Sequence, residues 1–210
     1  MVYPIFGKTI LPIFRSFIRE VKGLDNLPKS GGFILAPNHV GFVDYFFLGS
    51  VVIPYLNRKV HFISRKEKWW ELFGKGVSDW LGRIEVDPFH KQACLDQAAE
   101  VLKKGGMVGI YPEGKASKGK RLNKGKSGAI RLSLTSGRPI IPVGIIAPIG
   151  YSSLTKSIQS LLTNYGKVKL HFGQPIYYKD TKNVTKKRLV KETRQLMQEI
   201  AKLSEKYYPF

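Results

Sequence analysis

Cysteine is almost absent from this sequence, since Cys94 is the only one in 210 residues. A single cysteine excludes an internal disulfide framework and a cysteine-rich metal site. The histidines do not indicate a metal site either, because they lack the paired spacing of zinc ligands. They are His39, His61, His90 and His171. We therefore expect no bound metal.

Long apolar runs are also missing. No uninterrupted stretch approaches the roughly 20 residues of a bilayer-spanning helix. The N-terminus does not resemble a signal peptide, because Lys8 and Arg15 interrupt its apolar stretch and no small-residue cleavage site follows.

Residues 1–22 nevertheless carry an apolar pattern at helical spacing between basic side chains. The apolar positions are Phe6, Ile10, Ile13, Phe14, Phe17, Ile18 and Val21. The pattern is typical of an amphipathic helix lying in a membrane interface, and also of a helix that packs onto its own protein. We expect the first of these, with residues 23–210 forming the main domain.

Acidic residues are scarce. Fifteen acidic side chains face 35 basic ones, a formal net charge of +20. The excess is uneven, because no Asp or Glu stands between Glu113 and Asp180. Such a charge favours polyanionic partners: nucleic acid, anionic lipid headgroups, phosphorylated cofactors or acidic carrier proteins. Charge alone does not choose among them.

An alternation of short strands and helices runs through the chain. The predicted strands are 33–36, 60–63, 83–86, 107–111, 140–146 and 168–172, and the predicted helices are 44–52, 91–104, 127–135 and 185–207. Strands that alternate with helices indicate a mostly parallel sheet with helices on its faces. The predicted fold class is α/β, in a single domain preceded by the N-terminal helix.

Two predicted strands end in segments rich in functional groups. One strand leads into His39 and Asp44. A histidine is a natural general base near neutral pH, since the ordinary pKa of an imidazole is about 6.5. A nearby carboxylate can orient the ring and stabilise the imidazolium that forms. From this spacing alone, a His and an Asp are more often surface or capping residues.

A protein nucleophile does not accompany this pair. Cys94 lies inside a predicted helix, where a packed thiol is expected, and no serine occupies a G-x-S-x-G turn near His39. A His–Asp pair without a nucleophile suggests direct transfer, in which the base activates a hydroxyl that the substrate itself brings.

Four sequence blocks together resemble a known family. They are Asn38-His39 with Asp44 in the form N-H-x-x-x-x-D, Arg83-Ile84-Glu85-Val86-Asp87, Tyr111-Pro112-Glu113-Gly114 and Ile141-Pro142-Val143. In this order and spacing they are similar to the glycerophospholipid acyltransferases, in particular the 1-acylglycerol-3-phosphate acyltransferases. The likeness runs from about Val21 to Pro175.

The resemblance implies a reaction and a set of site residues. His39 would deprotonate the acceptor's hydroxyl and Asp44 would orient His39. The acyl group would come from acyl-CoA or acyl carrier protein, with no other cofactor. Substrate binding would fall to Asn38, Arg65, Glu113, Gly114 and Lys115. Such an enzyme is expected to be a peripheral or monotopic protein on the cytoplasmic face of a membrane.

The chain departs from the family pattern around the acceptor pocket. Lys115 and Ala116 stand where the family commonly has Thr-Arg, and Pro88 replaces a frequent arginine. A different lysolipid acceptor therefore remains open. The role of the basic stretch 115–126 also remains open. This stretch would bind either anionic lipid, or the acyl donor through the phosphates of coenzyme A or the acidic face of a carrier protein. Trp69, Trp70 and Phe73 suit membrane anchoring, an acyl tunnel or core packing.

A basic nucleic-acid-binding protein is the alternative from another class. The pI near 10 fits it. However, the sequence has no zinc-finger spacing, aromatic RNA-binding signature or basic zipper, and the four blocks would go unexplained. We therefore expect lipids rather than nucleic acid as partners.

Overall fold

The computed structural model describes residues 4–41, 43–65, 82–87, 89–117, 119–147, 159, 163, 165–178 and 184–210. The aromatic residues Trp69, Trp70 and Phe73 lie outside the described residues, as does Pro88.

Helices and strands alternate through the described residues. The helices are α1 (Pro4–Ser16), α2 (Asp44–Leu56), α3 (Lys91–Lys103), α4 (Gly128–Ser136) and α5 (Lys186–Leu203), with a short 3-10 helix at Leu24–Asn26. The strands are β1 (Ile18–Lys22), β2 (Phe33–Pro37), β3 (Val60–Arg65), β4 (Arg83–Val86), β5 (Met107–Gly109), β6 (Ile140–Ile146) and β7 (Val168–Phe172).

Within the described residues these strands form one seven-stranded sheet in the order β1-β7-β6-β2-β5-β3-β4. Strands β6, β2, β5, β3 and β4 run parallel to one another. Strand β7 pairs antiparallel with β6, and β1 joins β7 in parallel. The prediction of a mostly parallel α/β sheet is confirmed.

Successive side chains along a strand pack into two separate apolar layers, one on each face of the sheet. Phe33 and Leu35 of β2 point to the layer that holds α1 and α2. Ile34 and Ala36 point to the opposite layer, with α3, α4 and α5. A parallel strand covered on both faces is apolar at every position, which explains the uninterrupted apolar run of β2.

The N-terminal helix ends earlier than predicted. Helix α1 stops at Ser16, and Ile18–Lys22 form an edge strand instead of two further helical turns. Both Phe17 and Ile18 are buried, so the sheet takes up side chains that also fitted a helical face. None of the described helices is both long enough and apolar enough to cross a bilayer.

Part of the apolar face of α1 is used inside the protein. Leu11 is buried against the core, and the ring of Phe14 stacks on Phe46 of α2 with centroids 4.6 Å apart. Ile13 lies on the outer side and is 56% exposed. The helix therefore packs on its own protein and still presents an outward surface.

The C-terminal residues pack against the loop after β5. The helix ends near Leu203, and Glu205 adopts a left-handed backbone with φ 54°. Tyr207 then pairs with the loop after β5: its amide donates to the Lys120 carbonyl at 2.8 Å, and its carbonyl accepts from the Leu122 amide at 2.9 Å. We call residues 205–210 the C-terminal segment.

A histidine ties this end of α5 to the edge strand. The Nδ1 of His171 lies 3.0 Å from the Leu203 carbonyl, and its Nε2 lies 2.7 Å from the Glu20 carboxylate. Hydrogen bonds from His171 and then Lys22 lower the pKa of Glu20 to about 2. The contact fixes where the C-terminal segment begins.

Candidate active site

The two segments singled out in the sequence meet at one edge of the sheet. Strands β2 and β5 are parallel neighbours, so the residues that follow them, 38–44 and 110–117, leave the sheet side by side. Carboxyl ends of adjacent parallel strands are where α/β proteins place functional groups. Topology thus brings together residues about 75 positions apart in the chain.

His39 and Asp44 form a hydrogen-bonded pair. The His39 Nδ1 lies 2.8 Å from Asp44 Oδ2. The same carboxylate oxygen accepts from the backbone amides of Val40 at 2.8 Å and Gly41 at 3.1 Å. Asp44 opens α2 and is fully buried, whereas the His39 side chain keeps 18% of its surface exposed.

This geometry favours one tautomer of the ring. A neutral imidazole that faces a carboxylate with Nδ1 donates its proton there, which leaves the lone pair of Nε2 to accept a proton from a substrate. Asp44 can then stabilise the imidazolium. The pair has the arrangement of a general base with its orienting group.

Glu113 joins the second segment to the first. Its Oε1 accepts from the His39 amide at 2.9 Å and its Oε2 accepts from the Asn123 amide at 2.6 Å. Its side chain is almost completely buried. Burial raises the pKa of this carboxyl, and the two backbone hydrogen bonds partly oppose that rise. Glu113 thus holds the turn that carries His39.

Two residues that the sequence did not single out complete this network. Ser117 donates its amide to the His39 carbonyl at 2.8 Å, and its hydroxyl lies 3.2 Å from the same oxygen. Lys206, in the C-terminal segment, donates its ammonium to Ser117 Oγ at 3.2 Å. Burial lowers the pKa of Lys206, while Glu113 and Asp44 act to raise it. Ser117 follows the Glu113-Gly114 block at a position where the family commonly has serine, whereas Lys206 lies outside every block and is distant in sequence.

A tyrosine packs directly on the base. The rings of Tyr111 and His39 have centroids 4.5 Å apart. The Tyr111 hydroxyl is buried and has no hydrogen-bond partner among the described residues. The same is true of Asp44 Oδ1. Burial, and next the charge of Asp44, raises the pKa of Tyr111 well above its ordinary value. The phenol therefore stays neutral beside the pair.

The turn after Glu113 requires glycine. Gly114 has φ 67°, and a Cβ at this position would lie 2.5 Å from the ammonium nitrogen of Lys126. The backbone amide of Lys126 donates to the Pro112 carbonyl at 2.9 Å, which brings its side chain over the turn. An exposed glycine turn beneath an ammonium group is open to an anionic ligand.

The other predicted substrate-binding residues lie on different elements. Lys115 is exposed on the same turn, and Arg65 ends β3 opposite Val86 of β4. Asn38 is fully buried: its Nδ2 donates to the Ile145 carbonyl at 3.0 Å and its Oδ1 accepts from the Ile145 amide at 2.6 Å. Asn38 thus ties β2 to β6 just before His39.

Among the residues that the structure describes, no three His, Cys, Asp or Glu side chains gather as metal ligands would. Cys94 is buried in α3, and burial raises the pKa of its thiol to about 11.

The fold and this pair agree with one family of enzymes. The sequence profile described as Acyltransferase matches residues 18–146, which include both segments of the site. The chain belongs to this Acyltransferase family and is an acyltransferase enzyme.

Individual relatives narrow the comparison. The chain is 29% identical over 193 residues to the 1-acyl-sn-glycerol-3-phosphate acyltransferase of Bacillus subtilis, covering 89% of this chain and 88% of that protein. It is 28% identical to the chloroplastic 1-acyl-sn-glycerol-3-phosphate acyltransferase BAT2 of Brassica napus, over 80% of this chain and 47% of that protein. The chain thus spans about half of the plant protein's length.

A solved structure shows the same fold. The crystal structure of the 1-acyl-sn-glycerophosphate acyltransferase PlsC from Thermotoga maritima has a TM-score of 0.64 to this chain. The alignment covers 96% of this chain and 78% of the other, at 21% sequence identity. At this identity the likeness establishes the architecture.

Proposed function

We propose that the enzyme transfers a fatty acyl group to the free hydroxyl of 1-acylglycerol-3-phosphate and so forms phosphatidic acid. The observation that carries the proposal is the buried, triply hydrogen-bonded Asp44 Oδ2 that holds His39 with one ring nitrogen available. The Bacillus subtilis protein, whose name states this reaction, aligns over most of both chains.

The reaction runs by direct transfer. His39 Nε2 accepts the proton of the acceptor's hydroxyl as the oxygen attacks the carbonyl carbon of the acyl thioester. The carbon–sulfur bond then breaks, and the departing sulfur takes the proton from the imidazolium. Asp44 holds the ring in its working tautomer and stabilises its charged form. The donor is an acyl-CoA or an acyl carrier protein, and no other cofactor takes part.

The acceptor binds against the turn at residues 113–117. Glu113 shapes this pocket from beneath by holding the His39 turn, Gly114 lets the ligand approach the backbone, and Lys115 and Arg65 supply positive charge. Asn38 contributes by fixing the end of β2, since its amide group is bonded to Ile145.

A second lysolipid acceptor is the competing proposal. Ala116 and Lys115 stand at positions where this family commonly has an arginine and a threonine, so the headgroup contacts of this turn are altered. The reaction chemistry at His39 would be the same with either acceptor.

The enzyme works at a membrane surface in this proposal, peripherally and on the cytoplasmic face. Ile13 of α1 is exposed, and so are three basic residues close to it in the sequence, Lys8, Arg15 and Arg19. An apolar side chain flanked by cations suits the interface of an anionic bilayer. Membrane lipids, the acceptor and the acyl donor are then the partners that use the positive charge, rather than nucleic acid.

The direct test is acyl transfer to a panel of lysolipids with each donor. We expect the highest kcat/KM with 1-acylglycerol-3-phosphate in neutral mixed micelles, from acyl-CoA or from acyl carrier protein. A higher kcat/KM with a choline, ethanolamine or glycosyl lysolipid would replace the proposed acceptor by that lipid. No transfer to any acceptor would reject the proposed function.

A further inference from the structure

Phosphate recognition needs a cation close to the base. In 1-acylglycerol-3-phosphate the reacting hydroxyl and the phosphate ester oxygen are on adjacent carbons. The phosphate must therefore bind within a short distance of His39. Two buried carboxylates, Asp44 and Glu113, already lie there and repel a dianion. Within this turn Lys115 offers one positive charge and Ala116 offers none, so further cations have to come from residues outside the family's motif.

One ammonium group reaches the turn from the C-terminal segment. Lys206 is half-buried, and Ser117 Oγ is its hydrogen-bond acceptor among the described residues. An ammonium carries three donors, so donors remain for a ligand. Ser117 is itself bonded to the His39 carbonyl, which places the Lys206 charge two hydrogen bonds from the backbone of the base.

This position is held by the surrounding backbone. Tyr207 pairs with both Lys120 and Leu122, and the Arg121 guanidinium lies 5.0 Å from the centre of the Phe210 ring. The C-terminal segment is thereby fixed on the loop that follows the turn. A lysine held in this way loses less conformational freedom on binding than a free surface lysine.

A second ammonium group lies at the other end of the same turn. The Lys126 nitrogen sits over Gly114, where a side-chain carbon would be only 2.5 Å away. The turn between Gly114 and Ser117 is exposed at Gly114, Lys115 and Ala116. It therefore has one lysine at each end and an open backbone between them.

We propose that Lys206 and Lys126 together bind the phosphate of the acceptor, at the turn formed by Gly114–Ser117. The proposal rests on the function proposed above, and it assigns specificity to a residue of the C-terminal segment. The two ammonium groups replace the single guanidinium that the family commonly carries at position 116. They select acceptors with a phosphate monoester next to the reacting hydroxyl.

The test compares Lys206→Met, Lys126→Met, the double variant and Lys206→Arg. Lys202→Met is the matched control, because Lys202 is an exposed lysine of α5 paired with Glu199. Two quantities are measured: KM and kcat for 1-acylglycerol-3-phosphate in neutral micelles, and the Kd of glycerol 3-phosphate by calorimetric titration. Thermal unfolding checks that each variant folds.

Each Met variant is expected to raise KM and Kd about tenfold or more, with kcat changed by less than about threefold, since each loses a charge-assisted contact. Lys206→Arg should keep near-normal values, and Lys202→Met should match the wild type. Lower kcat at unchanged KM and Kd would show that Lys206 only supports the His39 turn, and would overturn the proposal.

The measurements separate a wrong acceptor from a wrong assignment of the phosphate site. If the wild type acylates no phosphate-bearing acceptor, the proposed function is rejected, and the glycerol 3-phosphate titration still decides whether the two lysines bind a phosphate. If Lys206→Met does not fold, Lys126→Met and Lys206→Arg carry the comparison. Equal Kd values for Lys126→Met and the wild type would then reject the pair.

Discussion

Asp44 concentrates its hydrogen bonds on one oxygen. Its Oδ2 accepts from the ring of His39 and from two consecutive backbone amides, while its Oδ1 is buried without a partner among the described residues. The backbone amides come from the turn that joins β2 to α2, so the chain itself sets the carboxylate's orientation. His39 is thereby aligned by a group that is rigid before any substrate binds.

The Tyr111 hydroxyl lies near the base, but the proposed mechanism gives it no part in acyl transfer. Its buried hydroxyl lacks a described partner, and an unsatisfied buried polar group costs about 1–3 kcal/mol. We therefore expect Tyr111→Phe to keep or raise the free energy of unfolding and to leave acyl transfer within about threefold of the wild type. Urea unfolding and initial rates measure the two effects. A rate loss of a hundredfold would instead place the hydroxyl in the reaction.

Residues differ in how well the sequence predicts their role. His39 and Asp44 are five positions apart, and their contact needs only a local turn, so a sequence pattern predicts it. Lys206 meets Ser117 across 89 positions, and Glu113 meets the His39 amide across 74. Such contacts depend on the order of strands in the sheet, which no local spacing encodes.

The predicted bounds of an element agree with the structure where its apolar pattern fits only one type of secondary structure. Strands β4, β6 and β7 have the predicted bounds, because each is a short apolar or alternating run between turns. The prediction of a helix over residues 17–22 is wrong, because Phe17, Ile18 and Val21 fit a helical spacing but also suit a strand. Pairing with β7 decided in favour of β1. The antiparallel junction of β6 and β7 was likewise beyond local patterns.

The turn after β5 gives a prediction for this element. Gly114 and Gly119 both have left-handed backbones, with φ 67° and 64°, but a Cβ at Gly119 meets nothing within 4 Å. We expect alanine at either position to cost about 1–2 kcal/mol of unfolding free energy from backbone strain. Only Gly114→Ala should also raise KM for the acceptor, because its methyl group displaces Lys126. Chemical denaturation and steady-state kinetics separate the two effects.

Gly119→Ala is the matched control for strain in this loop. If both variants raise KM equally, the loss comes from the loop's backbone, and the contact between Gly114 and Lys126 has no part in binding. If neither changes KM, the ligand does not use this turn.

The whole molecule combines a strong positive charge with an outward apolar position on α1. The net charge of +20 attracts anionic surfaces over a distance set by ionic strength, whereas apolar insertion needs contact. The charge follows directly from the composition, and the helical spacing of apolar residues near the N-terminus predicts an amphipathic helix. Which apolar residues remain exposed depends on packing against α2, and so required the structure.

Ile13→Glu is expected to weaken binding to anionic vesicles about tenfold or more, because it removes an inserting side chain and adds a repelled charge. Val190→Glu is the control, since Val190 is also exposed, at 61%, but lies on α5. Vesicle sedimentation at fixed ionic strength measures both. Equal loss from both variants would show that net charge, rather than α1, binds the membrane.

The proposed mechanism depends on His39 as the base of the acyl transfer. The most direct measurement is the rate of phosphatidic acid formation on vesicles by the wild type and His39→Ala, after circular dichroism has shown that both are folded. Loss of a general base typically lowers the rate about 100- to 10,000-fold, and we predict a loss in this range. Equal rates from both proteins would show that the hydroxyl is activated without His39, and the proposed mechanism would then be wrong.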